Sequence, residues 1–185
     1  MKSSLTRRSS FARQRGQSTI DFVIYIGLAA LVLGGMAYYQ FTGRTQAKVN
    51  DAISGLNSMV GKTQALYSSS ANGFSGISVA ALIGNGVVPA SMVKGTAIYS
   101  QFGTPVDVAS ANIYGSSDGV QFTYQAVPEG ACSDFVQGAQ SWFSKVQVGS
   151  SVIKSMKDGT SFSPASLGTA CSATSNVTIV FVAGR

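Results

Sequence analysis

Histidine is absent from this 185-residue chain, and with it go the commonest general base and the commonest metal ligand. A Ser-His-Asp hydrolytic triad is therefore excluded, abundant though serine is, and no Ser-Lys dyad shows a local signature. Acids are also few: Asp21, Asp51, Asp107, Asp118, Glu129, Asp134 and Asp158 are all seven. The six after Asp21 are too scattered for a catalytic carboxylate pair, and none sits in a cluster resembling a calcium loop. We expect no catalytic residue, no metal site and no cofactor. Cysteine occurs only twice, as Cys132 and Cys171. In an oxidising compartment one disulfide closing a loop of about 40 residues is the natural reading, two unpaired buried thiols being the alternative.

The charge that is present is unevenly placed. The first sixteen residues carry Lys2, Arg7, Arg8, Arg13 and Arg15 and no acid, whereas the chain from Gln17 onward has eight basic against seven acidic side chains. The net charge of +6 thus belongs mostly to a short leader, and no nucleic-acid site is predicted in the rest. After the leader comes Asp21, and then Phe22 to Gly43 contains no charge at all. As a helix this run spans roughly 33 Å, enough to cross a bilayer. By the positive-inside rule the leader stays cytoplasmic and everything after Arg44 is exported.

Helical spacing continues past the apolar run through Val49, Ile53, Leu56, Met59, Val60 and Leu66, and predicts one helix ending near Tyr67. Ser68 to Gly76 reads as a loop, and Ile77 to Ile83 as a short amphipathic piece stopped by Gly84-Asn85-Gly86. Short branched and aromatic runs follow at Ala97 to Phe102, Val106 to Val108, Asn112 to Tyr114, Val120 to Val127 and Val177 to Val182, of which the last two are the clearest strands. Val120 to Val127 alternates as a strand with one covered face does, and the last run is continuously apolar, as a central strand is. Ser133 to Phe143 reads as a second short helix with Phe135, Val136, Ala139 and Phe143 on one face, and Asp158-Gly159 and Ser163-Pro164 read as turns. Tyr99, Phe102, Tyr114, Phe122, Tyr124, Trp142 and Phe143 are expected in the core of this β-rich part rather than on a ligand surface.

Three explanations compete for the N-terminus. A secretory signal peptide has a shorter apolar run and an A-x-A site to close it. An ordinary single-span anchor fits the length but gives no reason for an acid just inside the apolar segment, where lipid makes it expensive. The whole arrangement of basic leader, Gly16, Gln17-Ser18-Thr19-Ile20, Asp21 and apolar helix resembles the cleavage region of type IV prepilins. Further along, Gly86-Val87-Val88-Pro89 with Met92, Ile98 to Gly103 with Val106, and Val127-Pro128 with Cys132 are similar, in that order, to segments of the type IVb pilins, with Cys171 placed to close the disulfide-bounded region.

The resemblance implies an α+β pilin fold: a long N-terminal helix packed on an antiparallel sheet, with a disulfide-bounded C-terminal region. It implies a leader at 1–16, a membrane and filament-core half-helix at 17–43 and a globular domain at 44–185. A prepilin peptidase would cut between Gly16 and Gln17, Gln17 would be N-methylated, and Gln17 and Asp21 would meet the neighbouring subunit. The partners implied are other copies in a homopolymeric pilus filament, the peptidase, and an assembly machinery of inner-membrane platform, ATPase and secretin. The precursor would wait in the inner membrane and the assembled subunit would be extracellular, serving adhesion, aggregation or conjugative mating-pair stabilisation. A minor tip pilin acting as a binding module and a membrane-anchored periplasmic ligand-binding protein are the alternatives. Three departures stand out: Asp21 is one methylene shorter than the family's usual glutamate, Gln17 replaces an apolar residue and is prone to cyclise, and no proline interrupts the apolar helix. There Gly27, Gly34 and Gly35 are weak points or close-packing positions instead.

Overall fold

A computed structural model describes residues 17–184, with side chains in the first helix described for 22–35 and from Arg44 onward. The expected leader, with Gly16, lies outside the described residues. The chain divides into two units, Met1–Thr42 and Gly43–Arg185. Helix α1 runs over Gln17–Tyr67, 51 residues, and belongs to both.

In the second unit α1 buries Val49, Ala52, Leu56, Met59, Val60 and Thr63, the three-to-four spacing of a single helical face. Ile53 is half-buried beside this stripe, whereas Leu66, expected on it, is exposed. The helix stops at Tyr67 and gives way to turns over 68–76. Helix α2 (Val79–Gly84) follows, its N-terminus capped by the Ser78 hydroxyl, which accepts from Ala81 N at 3.2 Å.

Seven antiparallel strands form the sheet: β1 (Val93–Lys94), β2 (Ala97–Tyr99), β3 (Pro105–Ala111), β4 (Gly119–Pro128), β5 (Lys145–Val148), β6 (Ser151–Ser155) and β7 (Asn176–Gly184), in spatial order β1-β2-β3-β4-β7-β5-β6. The C-terminal strand β7 lies between β4 and β5, as its continuous apolar run predicts. Alternation along β4 sends Val120, Phe122 and Tyr124 inward, but the pattern slips between Tyr124 and Val127, where Ala126 takes a positive φ of 46°. Helix α3 (Glu129–Ala139) and a following 3-10 turn (Gln140–Trp142) occupy most of the segment read as the second short helix.

Three readings are corrected. Asn112 to Tyr114 is not a strand, because the amides of Ile113 and Tyr114, with that of Gly115, are taken by Asp118: its carboxylate accepts from Ile113 N at 2.7 Å, Tyr114 N at 2.8 Å and Gly115 N at 2.7 Å. Ser163-Pro164 is not a free-standing turn but the start of helix α4 (Pro164–Cys171), with Ser163 as N-cap and Pro164 in the first turn, where its missing N–H costs nothing. Tyr114 and Trp142, expected in the core, are 74% and 65% exposed. Phe122, Tyr124 and Phe143 do lie in it, where Phe135 of α3 packs edge-on against Tyr124 and Phe181 at centroid distances of 5.0 and 5.2 Å.

Candidate functional site

The sequence places the site in the first half of α1, and its backbone geometry follows from helix periodicity. Gln17 opens the helix, and Asp21 follows one turn later on the same face. Their side chains are not among those described, and Gly16 lies outside the described residues.

From Phe22 onward the side chains are described, and they are apolar all round rather than along a stripe. Phe22, Val23, Ile24, Tyr25, Ile26, Leu28, Leu31, Val32 and Leu33 are each more than half exposed. A single amphipathic stripe would bury one side against its own domain. A helix apolar on every side requires apolar surroundings on every side. Gly27, Gly34 and Gly35 add no bulk, and a Cβ built on any of them would meet nothing within 4 Å. Among the described residues no helix is long and apolar enough to cross a membrane.

The second unit carries the two remaining predicted residues, and these are brought together. Cys132 on α3 and Cys171 at the end of α4 form a disulfide with a Cα separation of 5.7 Å, and both are buried. The bond joins two helices that pack on the same side of the sheet, so the region between them is bounded by it. Helix α1 is tied to this unit by Gln64, whose Nε2 donates to Gly184 O at 2.5 Å, and by Gln46, whose Nε2 donates to Asp134 Oδ2 at 2.5 Å.

Sequence reasoning missed what surrounds Tyr114. The loop 112–118 folds back on the sheet because Gly119 of β4 and Gly184 of β7 face each other in register, leaving a gap that Ile113 fills. A Cβ on Gly119 would come within 2.8 Å of Ile113 Cδ1, and one on Gly184 within 3.2 Å. The Asp118 carboxylate locks the loop, and its backbone hydrogen bonds, that from Ile113 first, hold its pKa below the usual value despite desolvation. The glycine pair was visible as two residues but not as partners, since the register of β4 on β7 is not readable from either strand alone.

Comparison with known proteins gives a consistent picture. The profile of the family described as PilS, "PilS N terminal", matches residues 46–184. No curated protein sequence matches the chain. Among solved structures, the chain is similar to TcpA, a type IV pilin from Vibrio cholerae El Tor biotype, with 17% identity, a TM-score of 0.54, and coverage of 74% of this chain and 98% of that one. It is similar also to a type IV b pilin from Salmonella typhi, with 17% identity, a TM-score of 0.55, and coverage of 71% and 97%. At this identity the two structures speak to the fold.

Proposed function

Since the chain belongs to the PilS family of pilins, and is thus a pilus subunit, we propose that it is the major structural subunit of a type IVb pilus, processed after Gly16 and polymerised through the first half of α1. The observation that carries this reading is the uniform exposure of the apolar side chains from Phe22 to Leu33, in a chain whose second unit has a core of its own. Such a surface needs apolar cover on every side. Lipid supplies it to a precursor held in the inner membrane by residues 17–43, and the same segments of other copies supply it in a filament. Polymerisation then replaces lipid contact by helix contact.

Gln17 and Asp21 set the step between subunits. An isolated carboxylate in a water-free bundle is costly, whereas one facing the α-amine of an adjacent subunit is compensated. Cleavage between Gly16 and Gln17 by a prepilin peptidase creates that amine, with N-methylation of Gln17 as the accompanying modification. An inner-membrane platform, an ATPase and a secretin carry the subunits outward. The filament serves adhesion, aggregation or mating-pair stabilisation, among which the shared fold does not choose.

Intact mass and N-terminal sequencing of material sheared from the native cell surface test this reading. A dominant species beginning at Gln17 is expected. A minor tip subunit would be scarce in that material, and a chain still beginning at Met1 and confined to membranes would overturn the proposal in favour of an anchored envelope domain.

A further inference from the structure

The outer face of the sheet, opposite α1, carries a cleft of about 310 Å³, at the small end of the roughly 300–1,000 Å³ usual for small-molecule sites. Its floor is a cross-strand row. Gln121 of β4 pairs with Val182 of β7, Val182 with Lys145 of β5, and Lys145 with Ser155 of β6. These residues have the opposite parity to Phe122, Phe181 and Val146, which point into the core. Val182 is nevertheless only 5% exposed, because the sheet is walled at this level. On one side stands the Asn112-Ile113 segment, seated on the Gly119–Gly184 pair, and on the other the Lys157-Asp158 turn. Ser155, almost wholly buried, fixes that turn by donating its hydroxyl to Asp158 Oδ2 at 2.6 Å.

The lining has a definite chemistry. Two ammonium groups, Lys145 and Lys157, border the cleft against one carboxylate, Asp158, which already accepts from Ser155. Asn112 and Gln121 add amides, and Ser144 a hydroxyl. The lining thus offers both hydrogen-bond donors and acceptors around two cationic side chains. Amides and hydroxyls match the OH groups of a pyranose, and two ammonium groups against one already engaged carboxylate favour an anion.

We propose that this cleft binds a carboxylated pyranose, a uronic-acid-type unit, with Lys145 and Lys157 on the carboxylate and Asn112, Gln121 and Ser144 on the ring hydroxyls. The proposal deepens the pilus reading and rests on it for one step: a filament with α1 at its core turns the opposite sheet face outward, where a glycan reaches it. The site is then repeated along the fibre, and weak single-unit binding sums by avidity on a polymeric ligand.

Binding is read by isothermal titration calorimetry. The detergent-solubilised full chain is titrated with polygalacturonate, with neutral galactan, and with polyphosphate as an anion without sugar. A saturable change is expected with polygalacturonate alone, weakened roughly tenfold or more in the Lys145→Gln/Lys157→Gln variant, since hydrogen bonds to a charged group are being lost. No saturable change with polygalacturonate, an equal response to polyphosphate, or an undiminished response in the double variant overturns the proposal. The yield of sheared filaments from the same variant is the second readout. Normal yield is expected, and a loss would make the face a contact between copies rather than a glycan site. Failure of the pilus reading is separate, because filaments sheared from wild-type cells would then contain little or none of this chain.

Discussion

The carbonyl of Ser117 lies against the Cα of Gly73, so close that a Cβ on Gly73 would overlap the Ser117 oxygen. The same oxygen accepts from Phe74 N at 2.8 Å. Two loops distant in sequence, the exit from α1 and the segment that displays Tyr114, are thereby joined at one atom. Gly73 sits at φ +61° and Ser117 itself at φ +53°, so both chains bend sharply to meet there.

Replacing Gly73 by alanine should destabilise the fold through two separable terms. The left-handed backbone costs an L side chain roughly 1–2 kcal/mol, and overlap with the Ser117 carbonyl adds to this. Gly76 isolates the first term, because it has φ +78° but open space around its Cβ position. Thermal unfolding of the detergent-solubilised chain should therefore show Gly73→Ala clearly less stable than Gly76→Ala. Equal losses would mean that the Ser117 contact contributes nothing.

The Asp118 clamp makes the 112–118 loop acid-labile. The carboxylate's folded-state pKa lies below its usual 3.8 because the amides of Ile113, Tyr114 and Gly115 hydrogen-bond its charged form. A depressed acid contributes stability that is present above the unfolded value and is lost as pH falls through the folded one. Amide exchange at Ile113, Tyr114 and Gly115 should thus be pH-normal above about pH 4 and lose protection below it. Asp118→Asn should show weakened protection at neutral pH, and protection equal to wild type there would remove the clamp from the account.

Tyr124 is fully buried, and its hydroxyl has no hydrogen-bond partner among the described residues. Burial alone pushes its pKa upward. Tyr124→Phe keeps the ring contacts with Phe135 and Phe181 and removes the unsatisfied group, whose burial costs about 1–3 kcal/mol. Denaturant unfolding should place this variant at or above wild-type stability. A loss of more than about 1 kcal/mol would reveal a hydroxyl partner.

Legibility in the sequence followed the length of the pattern. The end of α1 at Tyr67 and the strands β4 and β7 are readable because each pattern, periodic in α1 and β4 and continuously apolar in β7, extends over many residues. The four residues of β5, the five of β6 and the eight of α4 repeat theirs too few times, and Ser163-Pro164 signals a turn and a helix start equally well. Tyr114 and Trp142 were misassigned because composition says how many aromatics a core needs but not which ones fill it. At the N-terminus the order of Gly16, Gln17 and Asp21 was legible as a pattern. The cleft was not, since Gln121, Val182 and Lys145 become neighbours only through strand register.

The disulfide should matter to stability more than to fold. It closes a 39-residue separation between two helices already buried against the sheet, so its loss costs about 2–4 kcal/mol, chiefly by freeing the unfolded chain. Cys132→Ser/Cys171→Ser should retain the circular dichroism of the native domain with a lower unfolding midpoint. An unchanged midpoint would count against any role for the bond in stability.

Asp21 carries the most exposed prediction, because an acid at the start of an apolar helix is expensive in lipid without a partner. If it compensates the α-amine of a neighbouring Gln17, Asp21→Ala leaves that amine uncompensated in the bundle, where an unpaired buried charge costs about 3–5 kcal/mol. Sheared filament yield should then fall at least tenfold, with the precursor still made and still membrane-bound. Asp21→Asn keeps the shape without the charge and should fail to the same degree. Asp21→Glu restores the charge on a side chain one methylene longer and should retain most of the yield. Normal yield from the alanine variant would remove Asp21 from the assembly step and leave burial of Phe22 to Leu33 as its sole driving force.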